Sequence, residues 1–214
     1  MNRNADALPR EIGGKGPSQL LRKLVIASCL LFAALFLVVA ASEWEDGSSM
    51  HEGIERAGIA LIVVCILGRT WCTLFIGGRK NNSLTMEGPY SITRNPLYLF
   101  SIIGAVGVGA QFGSITVALV SGLFAWLVFL WTVWREEAAL LLNFGDDYRR
   151  YMARVPRFLP RPDLWHSPPT LTVNPQLIAI TFFDAAIFLV AIPIAETFEW
   201  MHTVRILPTL LVVP

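Results

Sequence analysis

The sequence predicts an all-α integral membrane protein with about five transmembrane helices. Three observations carry that expectation. The 214-residue chain is 54% hydrophobic and only 15% charged, against about 45–50% apolar and about 25% charged in soluble domains. Its mean hydropathy is +0.55. Its apolar residues gather into long runs, and about 20 such residues are what a helix needs to cross a bilayer. A net charge of +1 leaves no electrostatic case for nucleic acid.

Taken in order, the first run covers residues 24–41 and the second covers 57–76, with Arg69 inside it. The third, 98–110, is shorter and carries Gly104, Gly107 and Gly109. The fourth, 115–134, is apolar throughout, and the fifth, 177–194, contains one acid, Asp184. An acid in mid-membrane is costly unless partnered. The tail 206–214 is apolar but too short to cross. A polar segment, 1–16, precedes the first run, so that run is expected to be retained as a span rather than cleaved as a signal. Only Gln111, Phe112, Gly113 and Ser114 join the third and fourth runs, which makes a tight helical hairpin. The small residues of the third run let backbones approach closely. Cys29, Cys65 and Cys72 lie in apolar stretches with no CxxC pair, and read as buried thiols. His51, His166 and His202 are scattered outside the apolar runs; they read as loop residues, and no metal centre is expected.

Charge orients the runs. Lys and Arg favour the cytosol in loops near helix ends. Arg3, Arg10, Lys15, Arg22 and Lys23 mark the N-terminal arm, whereas residues 42–56 are acidic. Arg79, Lys80 and Arg94 mark the next connection, the hairpin link is uncharged, and residues 135–167 are again rich in arginine. The expected topology places the N-terminus in the cytosol and two sizeable loops, 77–95 and 135–174, on that same face.

Those loops hold the polar residues most suited to chemistry. In the first, Asn95-Pro96 reads as N-cap and first residue of the third helix. Its free N–H groups suit an anion, and Tyr90, Arg94 and Tyr98 surround it. In the second, the fourth helix runs on to Gly145, and a further short helix starts at Asp146 and ends before Pro156. Glu136 and Glu137 lie about 100° apart around the helix, so one can face the bundle while the other faces water. Pairing with Arg94, Arg135 or Arg149 is the plain structural role for such an acid, and Tyr148 and Tyr151 have the plain role of interfacial anchors.

Together the two loops resemble the isoprenylcysteine carboxyl methyltransferase family and the related phospholipid N-methyltransferases. That family reads G-x-Y-x-x-x-R-H-P-x-Y before a helical hairpin, then E-E-x-x-L, F-G-x-x-Y-x-x-Y and R-V-P. This chain has Gly88, Tyr90, Arg94, Pro96 and Tyr98, then Glu136, Glu137, Leu140, Phe144, Gly145, Tyr148, Tyr151, Arg154, Val155 and Pro156. The likeness covers about residues 60–160. Asn95 stands where the family has histidine, and asparagine cannot titrate near neutral pH.

The resemblance implies a membrane methyltransferase using S-adenosylmethionine at the cytosolic face, on a lipid-like or prenylated acceptor, with carboxyl O-methylation favoured. Carried over, Leu84, Thr85, Tyr90, Asn95, Pro96, Leu97, Tyr98, Glu136 and Glu137 would contact the cofactor. Arg94 and Glu136 would be the catalytic pair, and Arg154 or Arg157 would hold an anionic substrate head group or touch anionic membrane lipids. The chain is expected to divide into a cytosolic arm (1–23), two helices (24–76), a core (77–160) that the resemblance marks as the methyltransferase part, and a linker, fifth helix and apolar tail (161–214). An NADPH-dependent membrane reductase of the sterol or acyl type and a non-catalytic membrane accessory protein stay open as alternatives. Oligomeric state is open too.

Overall fold

The computed structural model describes residues 40–44, 47–76, 84–207, 209 and 211–214. The predicted arm, 1–23, lies outside the described residues, as does the first predicted span except for its last two residues, which are extended. The described chain is helical, with 3-10 turns and one small strand pair. Helix α1 covers Ser49–Ile76, α2 is the single turn Pro89–Ile92, and α3 covers Pro96–Ala110. Helix α4 covers Ile115–Arg154, α5 Pro175–Ala186 and α6 Ala191–Thr203. Among the described residues, three helical stretches are long and apolar enough to cross a membrane: Ser49–Ile76, Ile115–Arg154 and Pro175–Thr203. Helix α3 is apolar but has 15 residues, about 22 Å at 1.5 Å per residue.

Helix α1 begins eight residues before the apolar run that predicts it. Hydropathy marks only the part suited to hydrocarbon, and the helix continues through polar turns where Arg56 pairs with Glu52 one turn earlier. His51 therefore sits in the first turn of α1 and is buried, while His202 sits in the last turn of α6. The reading of these two histidines as loop residues is corrected; His166 does lie in a loop.

The glycines of α3 make contact. A Cβ on Gly107 would lie 2.7 Å from the Gly58 carbonyl oxygen, and one on Gly58 would lie 2.8 Å from the Gly107 oxygen. A Cβ on Gly109 would meet the Val117 oxygen at 2.6 Å. Backbones of α1, α3 and α4 thus touch where side chains would hold them apart. Arg69 adds a polar tie, donating to the Ser101 hydroxyl of α3. On the outer side of α4, Leu119, Leu123, Trp126, Leu127 and Trp131 are exposed, as a lipid-facing surface requires.

Helix α4 opens with Ser114, whose hydroxyl accepts from the Val117 N–H at 3.2 Å. It runs past its apolar portion and changes course at Gly145, where φ is 52° and ψ −121°. Only glycine adopts that backbone at low cost, so the position predicted to end the helix is where it kinks. The fifth predicted span is α5 and α6, joined by the 3-10 turn Ile187–Val190. Pro193 explains the join: its ring displaces the carbonyl four residues earlier, that of Leu189, and supplies no N–H. Asp184 is exposed on the surface of α5. Beyond α6 the tail forms β2, Leu211–Val213, which pairs in parallel with β1, Ala40–Ser42. The Pro214 carbonyl accepts from the Ser114 hydroxyl at 2.8 Å. This fastens the tail to the α3–α4 link.

Candidate functional site

At the opposite end of the helices from that link, two polar segments far apart in sequence are stitched together. The Gly88 N–H donates to the His166 carbonyl at 2.8 Å, the Arg94 N–H to Pro156 at 2.9 Å, and the Arg161 N–H to Ile92 at 2.9 Å. Buried Thr93 adds its hydroxyl, donating to the carbonyls of Arg157 and Phe158 at 3.1 and 3.2 Å. These bonds satisfy loop backbone that would otherwise be buried without partners. They fix α2 and the start of α3 against the chain that follows α4.

The join leaves a cavity of about 270 Å³, near the lower end of the range of about 300–1,000 Å³ usual for small-molecule sites. Its polar wall comes from Thr85, Tyr90, Arg94, Asn95, Tyr98, Glu136 and Asn143. Ile76, Leu84, Leu97, Leu140 and Phe144 make the apolar wall, closed by Tyr148 and Tyr151. Tyr98, in the first turn of α3, donates its hydroxyl to Glu136 of α4 at 2.8 Å. The Phe129 ring backs it, with centroids 5.0 Å apart. Tyr151 donates to the Tyr90 carbonyl at 2.6 Å. The hydroxyls of Tyr90 and Thr85 are themselves buried with no hydrogen-bond partner. Burial pushes the Tyr90 hydroxyl well above its usual range, so it stays a neutral donor. An unpaired buried hydroxyl costs about 1–3 kcal/mol. Two of them on one cavity wall mark where the polar atoms of a ligand would be received.

Glu137 has a different role from its neighbour. It is 5% exposed and turned from the cavity. Its Oε1 lies 3.1 Å from Arg94 Nε, and its Oε2 accepts from Arg157 Nε and Nη2 at 3.1 and 2.8 Å. Arg94 also donates to the Met152 carbonyl at 3.3 Å. The Asn95 side-chain amide donates to the Arg157 carbonyl at 3.2 Å and lies 3.4 Å from Glu137. One carboxylate thus gathers two arginines and the start of α3. The adjacent one, about 100° around the helix, faces the cavity.

The placements of the sequence candidates follow from this division. Leu84, Thr85, Tyr90, Arg94, Asn95, Leu97, Tyr98 and Glu136 line the cavity. Pro96 is buried at the head of α3, outside the lining. Glu137 and Arg157 lie behind the wall, in a shallower depression with Trp134 and Met152. Arg154 is exposed on the last turn of α4, away from the cavity. One expectation is corrected. The Asn95 side chain makes no cap hydrogen bond, because its amide faces Glu137 and the Arg157 carbonyl instead. Arg157 Nε and Nη2 are bonded to Glu137, and its side chain is 35% exposed.

Cavity residues missed from the sequence include Ala139, Leu140, Asn143, Phe144, Tyr148 and Tyr151. A signal was present. Positions 136, 139, 140 and 143 follow the spacing that keeps one helix face, so the face of Glu136 marks its neighbours. Tyr148 and Tyr151 repeat the three-residue step after Gly145 and are buried inward.

The phospholipid methyltransferase family model matches residues 57–147. The nickel-cobalt-cadmium resistance protein NccN of Alcaligenes xylosoxydans xylosoxydans is 33% identical over 192 residues, covering 86% of this chain and 87% of its own. The cobalt-zinc-cadmium resistance protein CzcN of Cupriavidus metallidurans is 32% identical, covering 82% and 81%. The protein-S-isoprenylcysteine O-methyltransferase of Schizosaccharomyces pombe is 33% identical over 81 residues, covering 38% of this chain and 34% of its own. No solved structure matches. Covered over most of its length by NccN and CzcN, the chain belongs to their family, and its central part, residues 57–147, resembles the phospholipid methyltransferases.

Proposed function

We propose that the chain transfers a methyl group from S-adenosylmethionine to the carboxylate of a lipid-like or prenylated acceptor, at the cytosolic face of the membrane. The observation that carries this reading is the cavity that brings Tyr90 and Tyr98 to Glu136. It has two buried hydroxyls awaiting partners and one carboxylate on its wall. A carboxylate suits a cationic cofactor, the hydroxyls of Tyr90 and Thr85 suit its polar groups, and the apolar wall suits its adenine. When bound, the cofactor supplies a methyl group on a positively charged sulfur. The chain contributes positioning. Glu136, held by the Tyr98 hydroxyl, balances the cofactor's charge; Leu84, Leu97 and Phe144 exclude water; Arg94 presents a cation toward the cavity. A carboxylate acceptor needs no deprotonation, which agrees with asparagine at position 95. Residues 77–160 form the working core.

The test is binding of labelled S-adenosylmethionine to the full chain in nanodiscs, followed by methyl transfer into membrane extracts. Wild type should bind and label a product whose methyl is released by mild base, as an ester's is. Glu136→Ala and Tyr98→Ala should lose binding at least about tenfold, which is about 1.4 kcal/mol. Equal binding by both variants, or binding of NADPH in place of S-adenosylmethionine, rejects the reading.

A further inference from the structure

A second cluster of ligand-type side chains lies at the far end of the bundle. His51 in the first turn of α1 is 2% exposed. Its Nε2 lies 3.5 Å from Glu55 Oε1, one turn along the same helix, and 3.1 Å from Glu199 Oε1 of α6. Ligand atoms of all three residues fall within 4.8 Å of one another. Helix α3, about 22 Å long, separates this cluster from Tyr98 and Glu136, so it is no part of the cavity already described.

We propose that His51, Glu55 and Glu199 bind one divalent transition-metal ion. Three features point there. First, neither ring nitrogen of His51 makes a hydrogen bond, although Nε2 is near two carboxylates. Ligands around a shared cation have this relation, because their lone pairs converge on a common point rather than on each other. Second, the two separations from the imidazole Nε2 suit an ion. Nitrogen and oxygen ligands at about 2.0–2.2 Å from a tetrahedral centre lie roughly 3.3–3.5 Å apart, and the observed 3.1 and 3.5 Å bracket that spacing. Third, the ring is held in place. Gly113, in the α3–α4 link, has φ 58°, and a Cβ there would lie 2.0 Å from the imidazole. The link closes on His51 because position 113 has no side chain, and a ligand immobilised beforehand loses little freedom on binding. One imidazole with two carboxylates favours zinc, cobalt or nickel over magnesium or calcium, which take oxygen ligands in larger number. The ion would join α1 to α6, since the ligands come from both.

The test uses the full chain without a polyhistidine tag, in nanodiscs, titrated with Co²⁺ and followed by the visible absorption of the bound ion, with Zn²⁺ as competitor and Mg²⁺ as control. One Co²⁺ per chain should bind, be displaced by Zn²⁺ and be unaffected by Mg²⁺. The isosteric variants Glu55→Gln and Glu199→Gln should each weaken binding at least about tenfold, the lower end of what loss of supporting groups costs a metal site. His51→Ala should abolish it. Absence of Co²⁺ binding by wild type overturns the proposal, as does undiminished binding by both glutamine variants. The readout is the metal itself, so it stands or falls separately from methyl transfer.

Discussion

Replacing Glu137 with alanine should unfold the chain more readily than replacing Glu136, although the two are adjacent. Glu137 is 5% exposed and holds Arg94, whose side chain is 8% exposed, and Arg157, which is 35% exposed. Its removal leaves the Arg94 guanidinium buried with only the Met152 carbonyl, 3.3 Å away, as acceptor. Breaking a buried pair by removing one partner costs about 3–5 kcal/mol. Glu136 accepts one hydrogen bond, from Tyr98, and faces the open cavity, so its loss should cost about 1–2 kcal/mol. The assay is reversible unfolding in mixed detergent micelles, read by tryptophan fluorescence. A cycle with Arg157→Ala isolates the outer pair, whose coupling should fall at about 0.5–3 kcal/mol. If Glu137→Ala matches wild type in stability, or Glu136→Ala is the more damaging to it, the assignment of a structural and a functional carboxylate is refuted.

Three further outcomes follow. Tyr90→Phe removes a buried hydroxyl without a partner, so stability should hold or rise by about 1 kcal/mol while S-adenosylmethionine binding weakens about tenfold; equal binding by the variant would remove Tyr90 from the ligand site. Gly107→Ala puts a Cβ 2.7 Å from the Gly58 oxygen, so it should destabilise by about 1–3 kcal/mol in the same unfolding assay. Burial raises the Tyr90 hydroxyl, so the folded chain keeps that proton after the unfolded chain has released its own near pH 10. Its contribution to stability should be constant up to about pH 10 and decline above it, which unfolding across pH 7–11 in wild type and Tyr90→Phe would measure.

Much of this arrangement was legible in the sequence because hydropathy and punctuation act locally. The four residues between α3 and α4 are those expected, and Gly145 marks the kink because a positive φ excludes other residues at low cost. Helix ends were less legible. Residues 49–56 are too polar to register as membrane, yet they continue α1, and His51 was misplaced with them. The side on which each glutamate falls was not readable either. A rotation of about 100° separates them, and only the position of Arg157 beyond the kink settles which one is buried. Asn95 is similar: local rules make it a cap, whereas the chain returning at Arg157 offers its amide a buried acceptor.

The residues around the cavity also bear on the acceptor. An amine must lose a proton before it attacks a sulfonium, so an enzyme methylating one benefits from a general base near its substrate. Among the described residues no histidine or lysine lines this cavity, and position 95 is an amide. Tyr90 holds its proton firmly. Glu136, the one carboxylate among the lining residues, already receives the Tyr98 hydroxyl, and a cationic cofactor would require it as counter-charge. A carboxylate acceptor escapes the difficulty, since it arrives ionised and as a nucleophile. It also meets Arg94, the one cationic side chain among the described lining residues, whose charge Glu137 offsets only from behind. On the proposed reading, the polar wall would receive one anion and one cation together, and the apolar wall the hydrocarbon that the anion carries.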